Sequence, residues 1–292
     1  AAVDGPGRLS DGTPVSLLGN AGSGDDAVAA ANVGAEGIGL FRTELLFLDS
    51  QIEPSIEEQV VMYGNVLKAM ANRKVVIRTL DAGSDKPVPY INAPHEENPA
   101  LGVRGWRLTR TSNDVLDRQL KALSLAAKNA AAEGNTVEVW VMAPMINTPE
   151  EARDFATRVR ELEIGKAGVM IETPAAALHA DKVLAEVEFG SFGTNDLTQY
   201  IMASDRLDAR LSDMTTTWHP AVLRAIQIAC SYAAPMGKPI GVCGESAANP
   251  HLAAVLLGLG VSSLSMAPRA LPEVRGFLAQ IDAEKCKEAA LG

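Results

Sequence analysis

Short apolar runs alternate with amphipathic segments along the whole chain, and each run gives way to a glycine, polar or charged residue. The runs are residues 15–18, 37–41, 75–77, 137–142, 168–171, 189–192, 240–242 and 264–266. Most are brief and rich in β-branched side chains, the pattern of parallel strands buried on both faces. The segments between them read as helices with recognisable ends. Ser55, with Glu58 three residues on, caps a helix over 56–71. A long Ala/Leu-rich helix over 114–132 is closed by Gly134. Thr148-Pro149-Glu150-Glu151 supplies a cap, a first-turn proline and a capping-box acid. Thr173-Pro174 opens another helix directly after a strand. Segments 25–31, 220–234, 249–257 and 272–281 complete the set.

Eight strand–helix units in 292 residues predict a (β/α)8 barrel, a fold of about 250 residues. An open doubly wound sheet shares the alternation and is the competing architecture. The surplus falls into two enlarged loops. Segment 81–111 follows the third strand and is rich in proline, asparagine and charge; segment 196–217 follows the sixth. Loops of such length in a compact domain are usually functional.

In a barrel the chemistry collects at the C-terminal ends of the strands. Strand two ends in Arg42-Thr43-Glu44 and strand three in Arg78-Thr79-Leu80-Asp81. Strand four runs into Met142 and Pro144, and strand five ends in Glu172. Strand six ends in Gly193-Thr194-Asn195-Asp196 and strand seven in Cys243-Gly244-Glu245. Arginine offers a planar fork that fits phosphate and carboxylate, which draws attention to Arg42, Arg78, Arg104 and Arg206. A single such arginine more often makes a surface ion pair. Two at strand ends are costly without a partner. Glu172 and Asp196 are either ion-pair partners of these arginines or ligands of Mg²⁺, which is often held by one or two carboxylates plus substrate oxygens. The lack of clustered His or Cys argues against zinc. Cys243 is either a buried structural thiol or, if it faces the pocket, a thiol acid. Cys230 and Cys286 fall on helices and read as structural. His95, His179, His219 and His251 occupy no strand end, and His179 falls in a helix.

Composition narrows the field further. Lys and Arg total 26 and Asp and Glu 36, a formal net charge of −10. That balance argues against bulk nucleic-acid binding, and it sits awkwardly with an anionic substrate. A hydrophobic fraction of 47% supports a full core and excludes global disorder. The three cysteines form no disulfide or zinc spacing, so a reducing, cytoplasmic setting is expected. The longest apolar stretches, such as 252–261, are too short to span a bilayer. Residues 1–10 lack the basic and apolar regions of a signal peptide.

Six blocks make a specific resemblance. They are EGIGLFRTE (36–44), RTLDAGSDKP (78–87), NPALGVR (98–104), GVMIETPA (168–175), FGTNDLTQY (192–200) and GVCGE (241–245). In this order, over nearly the whole chain, they resemble the phosphoenolpyruvate-binding barrel of Enzyme I. That family is the phosphoenolpyruvate–protein phosphotransferase of the bacterial sugar phosphotransferase system. The resemblance implies that Arg42, Arg78 and Arg206 hold the phosphate of phosphoenolpyruvate, with Asn195 a further contact to phosphate and carboxylate. It implies that Arg104 lies near the enol oxygen and that Asp81 orients Arg78. Glu172 and Asp196 resemble the Mg²⁺ ligands, and Cys243 resembles the acid that protonates the enolate to pyruvate. The family's acceptor histidine lies in a Gly-rich, Ser/Thr-His motif, and no histidine here has that context. The expectation is therefore a barrel domain over 1–292, without the N-terminal phosphohistidine and carrier-binding domains. Such a domain binds substrate but does not complete turnover alone. The implied partners are the phosphohistidine domain, then the carrier HPr, and a second copy in a homodimer. Ser84 and Ser204 stand where the family often has Gly and Val. Competing readings are the barrel of a pyruvate phosphate dikinase or phosphoenolpyruvate synthase relative, a non-catalytic phosphoenolpyruvate-binding or dimerisation module, and a Mg²⁺-dependent aldolase or lyase.

Overall fold

Eight strands form one closed, wholly parallel barrel in which each is bonded to its sequence neighbours and the last to the first. The description rests on a computed structural model and covers residues 3–292. Ala1 and Ala2, the start of the segment read as lacking a signal peptide, lie outside the described residues. The strands are β1 (Ser16–Ala21), β2 (Gly37–Arg42), β3 (Lys74–Arg78), β4 (Glu138–Ala143), β5 (Lys166–Ile171), β6 (Phe189–Gly193), β7 (Ile240–Cys243) and β8 (Ser263–Met266). Closure removes the open edges of the competing doubly wound sheet.

The helices wrap the outside. In chain order they are α1 (Gly24–Asn32), α2 (Glu44–Leu48), α3 (Ile56–Ala69), α4 (Asn113–Ala132), α5 (Pro149–Glu161), α6 (Pro174–Leu178) and α7 (Ala180–Ala185). Then come α8 (Thr194–Met202), α9 (Pro220–Met236), α10 (Glu245–Ala248), α11 (Pro250–Leu259), α12 (Leu271–Leu278) and α13 (Ala283–Leu291). The local chemistry explains their starts. Ser55 Oγ accepts from Glu58 N, Thr173 Oγ1 accepts from Ala176 N, and Thr148 with Glu151 forms a full capping box.

Alternation along the strands divides the apolar side chains into two sets. One set packs outward against the helices. The other fills the barrel as Leu40, Val76, Trp140, Met142, Met170, Phe189 and Cys243. A polar bundle ties the mouth to the helical layer. Gln119 of α4 accepts from Leu80 N at 2.8 Å and donates to Thr43 Oγ1 and Tyr63 Oη, while Thr43 Oγ1 donates to the Arg78 carbonyl at 2.9 Å. These buried bonds fix the strand ends from which Arg42, Glu44 and Arg78 project.

Several boundaries differ from expectation. Strand β1 runs on to Ala21, because Gly19 and Asn20 both pair with β2, across a register shift between them. The segment after β6 is not an irregular insertion from its start: α8 begins at once and carries Asn195 and Asp196 on its first turn. His179 sits at the joint between α6 and α7, not inside a helix. No helix among the described residues is long and apolar enough to cross a membrane.

Candidate functional site

The C-terminal ends of the strands enclose a cavity of about 510 Å³. Arg42, Arg78, Asp81, Arg104, Glu172, Asn195, Asp196, Arg206 and Cys243 all line it, so the structure brings together every residue singled out from the sequence. Arg42 and Arg78 end neighbouring strands and are paired in register. Cys243 is paired with Gly193 on one side and Ser265 on the other.

Arg78 is anchored from below. Its Nη2 donates to Glu44 Oε1 at 2.7 Å, and both side chains are buried. Burial disfavours the guanidinium charge, but Glu44 and Asp81 outweigh that effect and hold it charged. Nε of Arg78 and Nε of Arg42 are both buried without a hydrogen-bond partner.

Asp81 meets Arg78 at 3.9 Å. Its close partner is Arg104, whose Nη2 donates to Asp81 Oδ2 at 2.8 Å and whose Nε donates to Oδ1 at 3.2 Å. The reason is local: Gly83, with φ 124°, turns the loop so that Arg104 packs directly against it. The same guanidinium reaches Asp196 at 3.0 and 3.2 Å. One arginine of the loop after β3 thus clamps two acids from different strand ends. Burial raises the Asp81 carboxyl, but Arg104 and Arg78 reverse this and hold it below its ordinary value.

Glu172 has no such partner. Its Oε2 accepts only from Met145 N, at 3.0 Å. Burial, with Asp196 and Asp81 close by, pushes its carboxyl up to about 8. Asp81, Glu172 and Asp196 each offer an oxygen within 4.8 Å of the others. Gly193 makes room for them, since a Cβ there would lie 2.9 Å from Glu172 Oε1 and 2.8 Å from Met170 Cε.

Arg206 bridges the two enlarged loops, donating to Asp85 at 2.9 Å. Cys243 forms part of the floor. Its Sγ lies 3.0 Å from Ser191 Oγ and donates to the Gly39 carbonyl at 3.5 Å. Burial raises the thiol, and the Ser191 hydrogen bond works against that rise.

Sequence reasoning gave no role to several residues at this mouth. Glu44 was visible at a strand end, but its pairing with Arg78 spans 34 positions and leaves no local trace. Asn20, Lys86 and Arg269 also line the cavity. Asn20 and Arg269 follow from reading the ends of β1 and β8 as the other six were read.

The fold and site define a class: a parallel (β/α)8 barrel whose mouth combines convergent arginines, a carboxylate trio and a floor thiol. The comparisons place it more narrowly. Residues 2–283 match the family model described as PEP-utilising enzyme, PEP-binding domain. The chain is 49% identical to a phosphoenolpyruvate-protein phosphotransferase of Streptomyces coelicolor, over 99% of this chain and 52% of that protein. It is 40% identical to a phosphoenolpyruvate-protein phosphotransferase of Haloferax volcanii, over 97% and 52%. It is 41% identical to a multiphosphoryl transfer protein of Xanthomonas campestris, over 94% and 33%. The chain belongs to the family of PEP-utilising enzymes, as their phosphoenolpyruvate-binding domain. It spans about half the length of the phosphotransferases it matches.

Proposed function

We propose that residues 1–292 are the phosphoenolpyruvate-binding barrel domain of a phosphoenolpyruvate–protein phosphotransferase. The observation that carries this reading is a pair of arginines at neighbouring strand ends, each burying an Nε–H that has no partner, beside three crowded carboxylates and above a thiol. Arg42, Arg78 and Arg206 would hold the phosphate, with Asn195 beside it, and Arg104 would lie at the enol oxygen. Phosphoryl transfer depends mainly on positioning and charge stabilisation, which such a set supplies.

The donor set fits a hard divalent cation. It offers carboxylate oxygens only, and Glu172, raised to about 8, is a carboxylate short of positive charge. Glu172 and Asp196 would hold Mg²⁺, with Asp81 close enough to join them. A bound Mg²⁺ supplies charge stabilisation to the phosphate and enolate oxygens. The remaining work falls to this chain. Arg78, braced by Glu44, keeps its fork aimed into the cavity. Cys243 hands its proton to the enolate carbon, so pyruvate leaves as the ketone.

The phosphoryl group passes to a histidine on a domain outside this chain, then to HPr and onward to sugar uptake. The protein acts in the cytoplasm, as a homodimer. Calorimetry with phosphoenolpyruvate should show binding that depends on Mg²⁺, and a separately supplied phosphohistidine domain should then yield pyruvate. Absence of heat with and without Mg²⁺ would overturn the reading. Pyruvate formed without any acceptor domain would mean a different enzyme.

A further inference from the structure

Cys243 faces two cavities. Above it lies the mouth. Below it, at the N-terminal ends of the strands, lies a second cavity of about 220 Å³, lined by Ser16, Lys74, Trp140, Ser191, Ser263 and Ser265 among others. Its rim is open to solvent: Pro14 and Ser262 are exposed, and Ser16 and Ser263 are half-buried. Lys74 Nζ stands 4.1 Å from the centre of the Trp140 ring, and Trp140 Nε1 is buried with no partner. Ser191 lines this lower cavity and not the mouth.

The two cavities meet at one hydrogen bond to sulfur. Cys243 Sγ has two polar partners. The Gly39 carbonyl can only accept a proton. Ser191 Oγ, at 3.0 Å, can both donate and accept. On the mouth side the charged groups that act on the thiol are Arg78 and Arg42, which do not give up protons at accessible pH, and Glu172, whose one hydrogen bond is to Met145 N and not to the sulfur.

We infer that Ser191 and the lower cavity form a proton inlet that restores the Cys243 thiol from the face opposite the substrate. The inference rests on the proposed role of Cys243 as the acid. In the first step the S–H bond breaks, its proton bonds to the enolate carbon, the enolate oxygen becomes a carbonyl and sulfur is left as thiolate. In the second step Ser191 O–H passes its proton to sulfur. A hydronium ion from solvent in the lower cavity replaces that proton on Ser191 and leaves as water. The net input is one solvent proton per turnover. Ser191 is a positioning and relay residue, since it touches the acid and not the substrate. Lys74 sits at the polar entrance to this inlet.

The test is a rapid-mixing measurement of pyruvate formation by the 292-residue chain with Mg²⁺, phosphoenolpyruvate and an excess of a separate phosphohistidine domain. Wild type, Ser191→Ala and Ser191→Thr are compared. The thiol is loaded at the start, so Ser191→Ala should form its first pyruvate per site at the wild-type rate. Its later turnovers should slow by about 100-fold or more, the range that acid–base catalysis contributes. Ser191→Thr, which keeps a hydroxyl, should run close to wild type throughout. Equal slowing of the first and later turnovers means that Ser191 only shapes the pocket, and overturns the inlet. Unchanged later turnovers in Ser191→Ala mean that the thiol is restored from the mouth, and overturn it too. Metal-dependent binding of phosphoenolpyruvate, measured by calorimetry in all three, separates the levels. If wild type neither binds nor forms pyruvate, the function proposed for the whole mouth fails; if it does both, the kinetics judge the inlet alone.

Discussion

Replacing Arg104 with methionine tests the electrostatic construction of the mouth. Met keeps much of the volume but removes the fork that holds Asp81 at 2.8 Å and Asp196 at 3.0 Å. Arg104 is 4% exposed and Asp81 7%, so the acid left behind has little access to water. Removing one member of a buried pair typically costs about 3–5 kcal/mol. Asp81 retains Arg78 at 3.9 Å, which argues for the lower end, about 3 kcal/mol. In a chain of 292 residues that corresponds to a fall in Tm of about 5 °C.

The same variant should respond more strongly to Mg²⁺. In the wild type a cation entering between Glu172 and Asp196 competes with a guanidinium already bonded to Asp196. Without Arg104 the three carboxylates repel one another unopposed by that charge. Saturating metal at about 100 times Kd adds about 2.7 kcal/mol to any fold that binds it. Thermal denaturation with and without Mg²⁺ reads both effects. The expected result is a lower Tm without metal and a larger upward shift with it. A variant whose Tm equals the wild type, and whose metal shift is no larger, would refute the claim that Arg104 is the charge that offsets these acids.

Glu172 predicts a pH dependence of stability. Burial and the neighbouring acids push its carboxyl from an ordinary 4.5 up to about 8 in the folded chain, so between those values the folded chain keeps a proton that the unfolded chain has lost. Stability should therefore fall as pH rises through that window, and Glu172→Gln should remove this component in denaturation curves taken from pH 5 to 9. Metal binding at neutral pH should also release a proton, seen as a calorimetric heat that changes with the ionisation heat of the buffer. Gly193→Ala should weaken metal binding in calorimetry at little cost in stability, because its Cβ would sit 2.9 Å from Glu172 Oε1 and push that carboxylate aside, while the other close atom, Met170 Cε, is the end of a flexible side chain. Ser84 has φ 58° in the turn between Gly83 and Lys86, so Ser84→Gly should raise stability by about 0.5–1 kcal/mol in chemical denaturation, and Ser84→Val should lower it.

The barrel was legible because its strands are buried on both faces and stand out as apolar runs between capped helices. Most of the mouth was legible too, because strand ends deliver side chains to one rim. What stayed hidden is informative. Thr194-Asn195-Asp196 reads as the end of strand six, yet Thr194 and Leu197 are buried on the first turn of a helix. Glu44 and Arg78 are brought together by the closure of adjacent strands, and nothing near either residue in the chain announces the other. Asp81 has a second partner that the chain order hides: beside Arg78 at 3.9 Å, the backbone turn at Gly83 carries Arg104 onto it at 2.8 Å.

The acidic surface and an anionic ligand are compatible once the charges are sorted by partner. Six basic and five acidic side chains line the mouth of a chain whose net charge is −10. Several of the acids are already spoken for: Asp81 and Asp196 by Arg104, and Asp85 by Arg206. Glu172 retains a proton at neutral pH. On the basic side, Arg42 and Arg269 have no acidic partner within 4.0 Å among the described residues, and Arg42 and Arg78 each bury an unpaired Nε. A buried guanidinium N–H with no acceptor is costly unless something arrives to take it. Because β2 and β3 hold these two arginines in register, their unpaired donors belong to one stretch of rim. The net charge of the chain therefore says little about its ligand; what matters at this mouth is which cations the fold has left without a partner.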